Sequence, residues 1–298
     1  MKKNRIRYST EDRVFSLVAY SLATFALIIT LYPLIYCVSA SLSNPMEVVK
    51  GNVLLFPKDL TLIAYQAVAK NKSMLTGYAN TIFYTALGTA INLIMTIAAA
   101  YPLSKRDFRG RNGITFLFTL TMFFSGGMVP NFLLIKNLSM YNTIWSLLLP
   151  GCVSAWNLVI MRTYFQSSIP EEICESAYMD GCSNINALIR IVLPLSMPSI
   201  AVMVIFYGVG HWNSYFNALL YLKSREKYPL SLVLREILLQ GMGQEKTGAE
   251  VVDSVADLLL FETLKYAVIL VSSVPMLILY PALQRYFVKG AMVGSLKG

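Results

Sequence analysis

Long apolar runs alternate with short polar interruptions along this chain, and each run is of membrane-crossing length. The runs lie at about 14–40, 78–102, 114–135, 144–165, 200–222 and 264–284. A helix needs about 20 mostly apolar residues to cross a hydrocarbon core, so the pattern predicts six spans. They are expected to share one bundle and one domain covering 1–298. One interruption differs from the others. Within a polar loop at 166–198, Glu171 to Pro194 reads EEICESAYMDGCSNINALIRIVLP and carries its own helical punctuation.

Pro170 is expected at a first helical position, with Glu171 and Glu172 in the first turn where the helix dipole favours carboxylates. Ile173, Cys174, Ala177 and Tyr178 then fall on one helical face, and Gly181 supplies a left-handed stop. Ser183 can cap a second helix with Ile185, Leu188, Ile189 and Val192 on its apolar face, which Pro194 and Pro198 should end. A helix, a turn and a second helix are thus predicted between two spans.

Inside the spans, Asn80, Thr81, Thr85 and Asn92 can hydrogen-bond to neighbouring helices, and Gly88 permits close approach. Pro33 should kink the first span. Gly126-Gly127 with Pro130, and Pro150-Gly151, should bend or break the third and fourth. Such breaks either mark a translocation path or are packing kinks. Residues 223 to 262 read as an outer segment: Leu230, Val233, Leu234, Ile237 and Leu238 form one helical face. Gly241 to Gly248 form a polar turn, and Val251, Val252, Val255 and Leu259 resume the spacing.

Composition agrees with a membrane protein. Apolar residues make up 56% and charged residues 14% of 298, and the mean hydropathy is +0.56, far from a soluble domain. The net charge of +9 is placed for membrane orientation and not for nucleic acid. Lys2, Lys3, Arg5, Arg7 and Arg13 precede the first span, and Lys105, Arg106, Arg109 and Arg111 follow the second, so both regions are expected in the cytoplasm. An even number of spans then puts the 166–198 loop and the C-terminus there too. Lys50, Lys58, Lys70 and Lys72 in an outer loop run against the rule, but that loop is long. Val38-Ser39-Ala40 resembles a signal-peptide cleavage site, yet the apolar run before it is too long, and it is read as a retained span.

Several chemistries drop out. Cys37, Cys152, Cys174 and Cys182 contain no CxxC. His211 is the single histidine, so no metal site is expected. There is no GxxxxGK[ST], so any ATP must be hydrolysed elsewhere. Acidic residues sit in loops or at span ends, which disfavours an ion-coupled secondary transporter without removing it as the alternative.

Glu175-Ser176-Ala177, then Gly181, then Ile191, Leu193 and Pro194, resembles the EAA loop of permease subunits in binding-protein-dependent ABC importers. Ser176 departs from the usual alanine. Lys289-Gly290-Ala291 to Gly294-Ser295-Leu296-Lys297-Gly298 is similar to the tail of maltose-type sugar permeases, and Trp212-Asn213 with Phe216 and Ala218-Leu219 extends the likeness to the fifth span. The resemblance implies an all-α, six-helix permease of the type I importer fold in a bacterial cytoplasmic membrane, carrying a cytoplasmic coupling helix. It also implies a second homologous permease, two copies of a P-loop ATPase that bind the ATP and magnesium, an extracytoplasmic solute-binding protein and an oligosaccharide substrate. This chain itself holds no cofactor.

In that reading Glu175, Ser176, Ala177, Asp180, Gly181, Ile191, Leu193 and Pro194 couple to the ATPase, and the tail reaches it through Gly290, Gly294 and Gly298. Tyr207, His211, Trp212, Asn213 and Tyr215 are candidates for lining the substrate path, or alternatively for interhelical packing. His211 and Tyr215 are expected on one face by their i,i+4 spacing, with Trp212 beside them.

Overall fold

The structure is a computed structural model and describes residues 10–240 and 255–295. The expected turn at Gly241 to Gly248, Val251, Val252 and Gly298 lie outside the described residues. Helices and turns account for all regular structure among the described residues. By Cα proximity the chain forms two units, Met1–Asn71 with Ile237–Val271, and Lys72–Glu236 with Ser272–Gly298.

In the first unit, α1 (Thr10–Ser41) is a single helix that runs through Pro33. Its most apolar window buries none of its residues; only the last turn, Ser39 to Ser41, is buried. That turn is tied down by hydroxyls. Ser39 Oγ donates to Leu55 O at 2.6 Å, and Ser43 Oγ donates to Ser39 O at 2.6 Å. Asn44 then caps α2 (Pro45–Val49) by accepting from Met46 N. Ala40, Val48 and Val53 form a small core beside Tyr36 and Tyr266, and α3 (Ile63–Lys70) follows.

The second unit is built on α4 (Lys72–Ser104), an unbroken apolar helix of 33 residues. The other crossings expected here are broken. The run at 114–135 is not one helix but two, α5 (Arg111–Phe123) and α6 (Met128–Asn137), bent by 116° at the two glycines. At 1.5 Å per residue α5 is about 20 Å long, short of a hydrocarbon core of roughly 30 Å. The run at 144–165 is α7 (Trp145–Leu148) and α8 (Ala155–Ser168), parted by Pro150-Gly151 and the four residues around them.

Between these and the next crossing come α9 (Glu171–Met179) and α10 (Asn184–Leu195), the latter widening to a π turn over Leu188–Val192. Pro194 lies one residue before the end of α10 at Leu195, and Pro198 follows the break, as expected. The missing N–H of Pro194 leaves the carbonyl four residues back without a partner, and the π turn just before it makes room for the ring. The chain turns by 82° at Ser196 into α11 (Met197–Trp212). The run expected at 200–222 therefore stops at Trp212, and α12 (Phe216–Tyr221) is separate. The face from Leu230 to Leu238 lies on α13 (Leu230–Gln240) as predicted. Val255 and Leu259 belong not to an outer surface helix but to α14 (Val255–Ser295), 41 residues long, which contains the run at 264–284.

Candidate functional site

The α9–α10 unit is closed by its own backbone. Asp180 ends α9, Gly181 adopts φ +82°, and Gly181 N and Cys182 N donate to Tyr178 O and Ala177 O at 3.0 and 2.9 Å. This double bond pattern needs a left-handed residue, which glycine supplies without strain. Ser183 Oγ accepts from Asn186 N and starts α10. Pro170 precedes α9 in extended conformation instead of opening it.

One side of this unit is core. Cys174 and Val192 are buried in the same cluster as Ala100, Tyr101 and Leu103 of α4, Leu158, Met161 and Phe165 of α8, and Met203 and Tyr207 of α11, with Tyr178 and Leu188 packed against it. The other side is open. Glu175, Ser176, Asp180 and Gly181 are exposed, as is Pro194, while Ala177, Ile191 and Leu193 are half-buried. The apolar faces read from spacing are thus only partly buried. Ile173, Met179, Ile185 and Ile189 are exposed, Met179 to 89%. Glu175 and Asp180 form no ion pair among the described residues. A surface of apolar residues and free carboxylates, backed by core packing, can take a partner and pass its motion inward.

The joint between this unit and α4 was not read from the sequence. Tyr101 and Tyr178 hydroxyls are 3.2 Å apart, and Lys105 Nζ sits 5.2 and 5.5 Å from the two ring centroids. Burial works against the Lys105 charge, but the Tyr178 hydroxyl and the Cys174 sulfur outweigh it and raise the pKa above the ordinary lysine value. Arg106 Nε lies 3.5 Å from Glu171 Oε2. The frayed carbonyls at the end of α4 are met from α8, where Arg162 Nε donates to Leu103 O at 2.9 Å and Gln166 Nε2 to Ser104 O at 3.3 Å. The only sequence signal for this joint was the basic run after the second span.

A second polar set lies deeper, between α4 and α11. His211 Nε2 is 2.7 Å from Asn92 Oδ1, and Asn92 Nδ2 donates to Cys152 O at 2.8 Å and reaches Gly151 O at 3.4 Å. Because the Asn92 amide nitrogen is spent on carbonyls, its oxygen accepts, and His211 Nε2 carries the hydrogen. The carbonyls are those released by the break between α7 and α8. Thr96 and Tyr207 hydroxyls meet at 2.7 Å, and Ser154 N donates to Tyr207 Oη at 3.3 Å. Gly88 lies under the imidazole, where a Cβ would stand 2.5 Å from the ring. Further out, Asn80 Nδ2 donates to Glu226 O and Tyr228 O, and Thr81 Oγ1 accepts from Leu230 N. Thr85 was expected to bond a neighbouring helix, but its buried hydroxyl has no partner among the described residues.

The five candidate path residues therefore separate. Tyr207 and His211 bond between helices. Trp212 and Asn213 line a cavity of about 330 Å³ with Ser231, Leu234, Ser272 and Met276, and Trp212 Nε1 donates to Ser272 O at 3.1 Å. Tyr215 does not share a face with His211, because the helix ends at Trp212; its ring instead carries the Arg235 guanidinium at 5.5 Å. The tail glycines Gly290 and Gly294 fall within α14.

The described residues are all-helical with several apolar helices of membrane-crossing character, and the family match makes the chain a membrane transport subunit and not an enzyme. The chain belongs to the family of binding-protein-dependent transport system inner membrane components, whose sequence profile matches residues 91–293. It is 37% identical over 288 residues to the polygalacturonan/rhamnogalacturonan transport system permease protein YtcP of Bacillus subtilis (strain 168), covering 97% of this chain and 100% of that protein. It is 40% identical over 270 residues to protein LplC of the same strain, covering 91% and 90%. Among solved structures it is similar to a bacterial ABC transporter involved in the import of the acidic polysaccharide alginate. The TM-score there is 0.87 at 35% identity, with 95% of this chain and 100% of that chain covered. This family membership sets aside the secondary-transporter alternative.

Proposed function

We propose that this chain is one half of the membrane pathway of an ATP-driven importer for acidic oligosaccharides of the uronate type. The observation that carries the substrate class is a shared chemistry: polygalacturonan and alginate, named for two relatives above 30% identity, are both sugar polymers bearing carboxylates. An extracytoplasmic binding protein delivers the substrate, a second homologous permease completes the pathway, and all the spans of this chain act as one transmembrane domain. The bare apolar face of α1 suits that permease or the lipid bilayer. No nucleic acid is involved.

Two copies of a P-loop ATPase hold ATP and magnesium and grip the open face of α9 and α10. Glu175, Ser176, Ala177, Asp180, Gly181, Ile191, Leu193 and Pro194 form the coupling unit, and the end of α14, with Gly290, Gly294 and Gly298, reaches the ATPase. The basic segments and both termini face the cytoplasm of a bacterial cell. Closure of the ATPase dimer drags α9 and α10, and the core shared with α4, α8 and α11 carries that motion into the spans.

The test is extraction in mild detergent from the native membrane and identification of what stays bound, followed by hydrolysis assays in lipid discs. The expected result is a P-loop ATPase and a second permease, with hydrolysis stimulated by binding protein loaded with oligogalacturonate or oligoalginate. Stimulation by neutral oligosaccharides alone would overturn the substrate class. A complex without an ATPase would overturn the whole reading.

A further inference from the structure

Helix α13 packs on α4, where Leu230 and Val233 lie against Gly77. Leu230, Leu232 and Val233 are buried, and Leu230 N is fixed by Thr81 Oγ1 at 2.7 Å. Its charged residues are treated unequally. Glu236 is paired with Arg225 at 3.3 Å, and the neighbouring Lys227 Nζ donates to Asn142 O at 2.6 Å. Arg235, half-buried, pairs with no carboxylate among the described residues; its guanidinium lies over the Tyr215 ring, 5.5 Å from the centroid.

Neighbouring residues of the same two segments, together with Ser272, Ser273, Met276 and Leu277 of α14, bound the 330 Å³ cavity, and Arg235 and Tyr215 stand outside its lining. Ser231, four residues before Arg235 and so on the same stripe of α13, lines it, as do Trp212 and Asn213 just before Tyr215. Ser231 Oγ is buried with no partner among the described residues. The cavity is at the small end of ligand sites, which run from about 300 Å³, and its lining mixes apolar side chains with an amide and hydroxyls.

A guanidinium lying on an aromatic ring keeps its forked N–H groups free at the edge and loses little freedom on binding. The group that fits such a fork is a carboxylate, which accepts two parallel hydrogen bonds. A sugar ring carrying that carboxylate would set its hydroxyls against Asn213 and Ser231. We propose that Arg235, held by Tyr215, is the specificity residue that binds the carboxylate of a uronate unit, with the Trp212–Ser231 cavity taking the ring. This rests on the acidic-oligosaccharide reading above.

The experiment is uptake by the whole transporter in proteoliposomes, with its binding protein, comparing an oligouronate with its carboxyl-reduced neutral counterpart. The same binding protein serves every variant, so a change in the ratio of kcat/KM for the two substrates reports on the permease. Arg235→Gln should lower that ratio at least about tenfold, through KM for the acidic chain, the scale of losing a charge-paired hydrogen bond. Arg235→Lys should recover it only in part, because lysine lacks the fork. An unchanged ratio in Arg235→Gln, or equal loss for both substrates, overturns the assignment while leaving the function intact. Wild-type transport of the neutral chain alone overturns both.

Discussion

The phenolic oxygens of Tyr101, at the end of α4, and Tyr178, on α9, stand 3.2 Å apart although 77 residues separate them in sequence. Lys105 covers both rings. This small assembly ties α9 to a helix that is not its chain neighbour. The connection through α8 and α11 is covalent; this one is made only by side chains.

Removing the hydroxyl alone should therefore weaken transmission without unfolding the unit. Tyr178→Phe is expected to lower transport per ATP hydrolysed by roughly two- to tenfold, the worth of one neutral hydrogen bond. Parallel measurement of uptake and phosphate release checks it. The same loss in Tyr101→Phe, without further loss in the double variant, assigns the effect to this pair.

The Lys105 contact should be insensitive to pH through the neutral range. Its raised pKa means the folded chain holds the proton more tightly than the unfolded one. The stabilisation is then complete below the ordinary lysine value of about 10.4 and fades as pH rises through the higher folded value. Wild-type melting in detergent should show an alkaline decline that Lys105→Met reduces.

Gly88→Ala should be costly for a specific reason. The new methyl group would meet the His211 ring at 2.5 Å, and moving that ring breaks its bond to Asn92. Roughly 1–3 kcal/mol of destabilisation is expected, as for overpacking elsewhere. In a His211→Ala background the obstacle is gone and the cost should largely vanish, a double-mutant comparison readable by thermal melting.

Asn92→Ala leaves the Cys152 and Gly151 carbonyls unpaired inside the unit. A loss of roughly 1–3 kcal/mol follows from the unmet carbonyls, and the break between α7 and α8 should loosen. Hydrogen exchange at residues 151–155 should rise in the variant and stay flat at the far end of α8.

Gly181→Asp should insert normally and lose the ATPase. Nothing within 4 Å crowds a Cβ at this position, so the fold meets only the cost of φ +82°, about 1–2 kcal/mol for a left-handed non-glycine residue. Co-purification measures the outcome; normal ATPase recovery would remove Gly181 from the docking surface.

Much of the α9–α10 helix pair was legible in the sequence because its signals are local. Gly181 and Ser183 act on their own backbone, and so do the residues that break the crossings at Gly126-Gly127 and Pro150-Gly151. The end of α11 was hidden, since Trp212-Asn213-Ser214 contains neither proline nor glycine. The Tyr101–Tyr178, Asn92–Cys152 and Arg235–Tyr215 contacts were hidden for another reason. They depend on the rotation and depth of one helix against another, and helices as uniformly apolar as α4 and α11 carry little record of which side faces inward.

Among the described residues, α4 alone of the helices lying wholly within the second unit is long and apolar enough by itself to cross a membrane, and its bonds fall at three depths. Thr81, nine residues in from the start, holds it against α13, Asn92 grips it past the midpoint, and Tyr101 meets α9 near the other end. Thr81 and Tyr101 lie about 16 and 13 Å from Asn92 along the axis. A rod gripped at Asn92 is a see-saw: a push at Tyr101 would send Thr81 the opposite way by a similar distance.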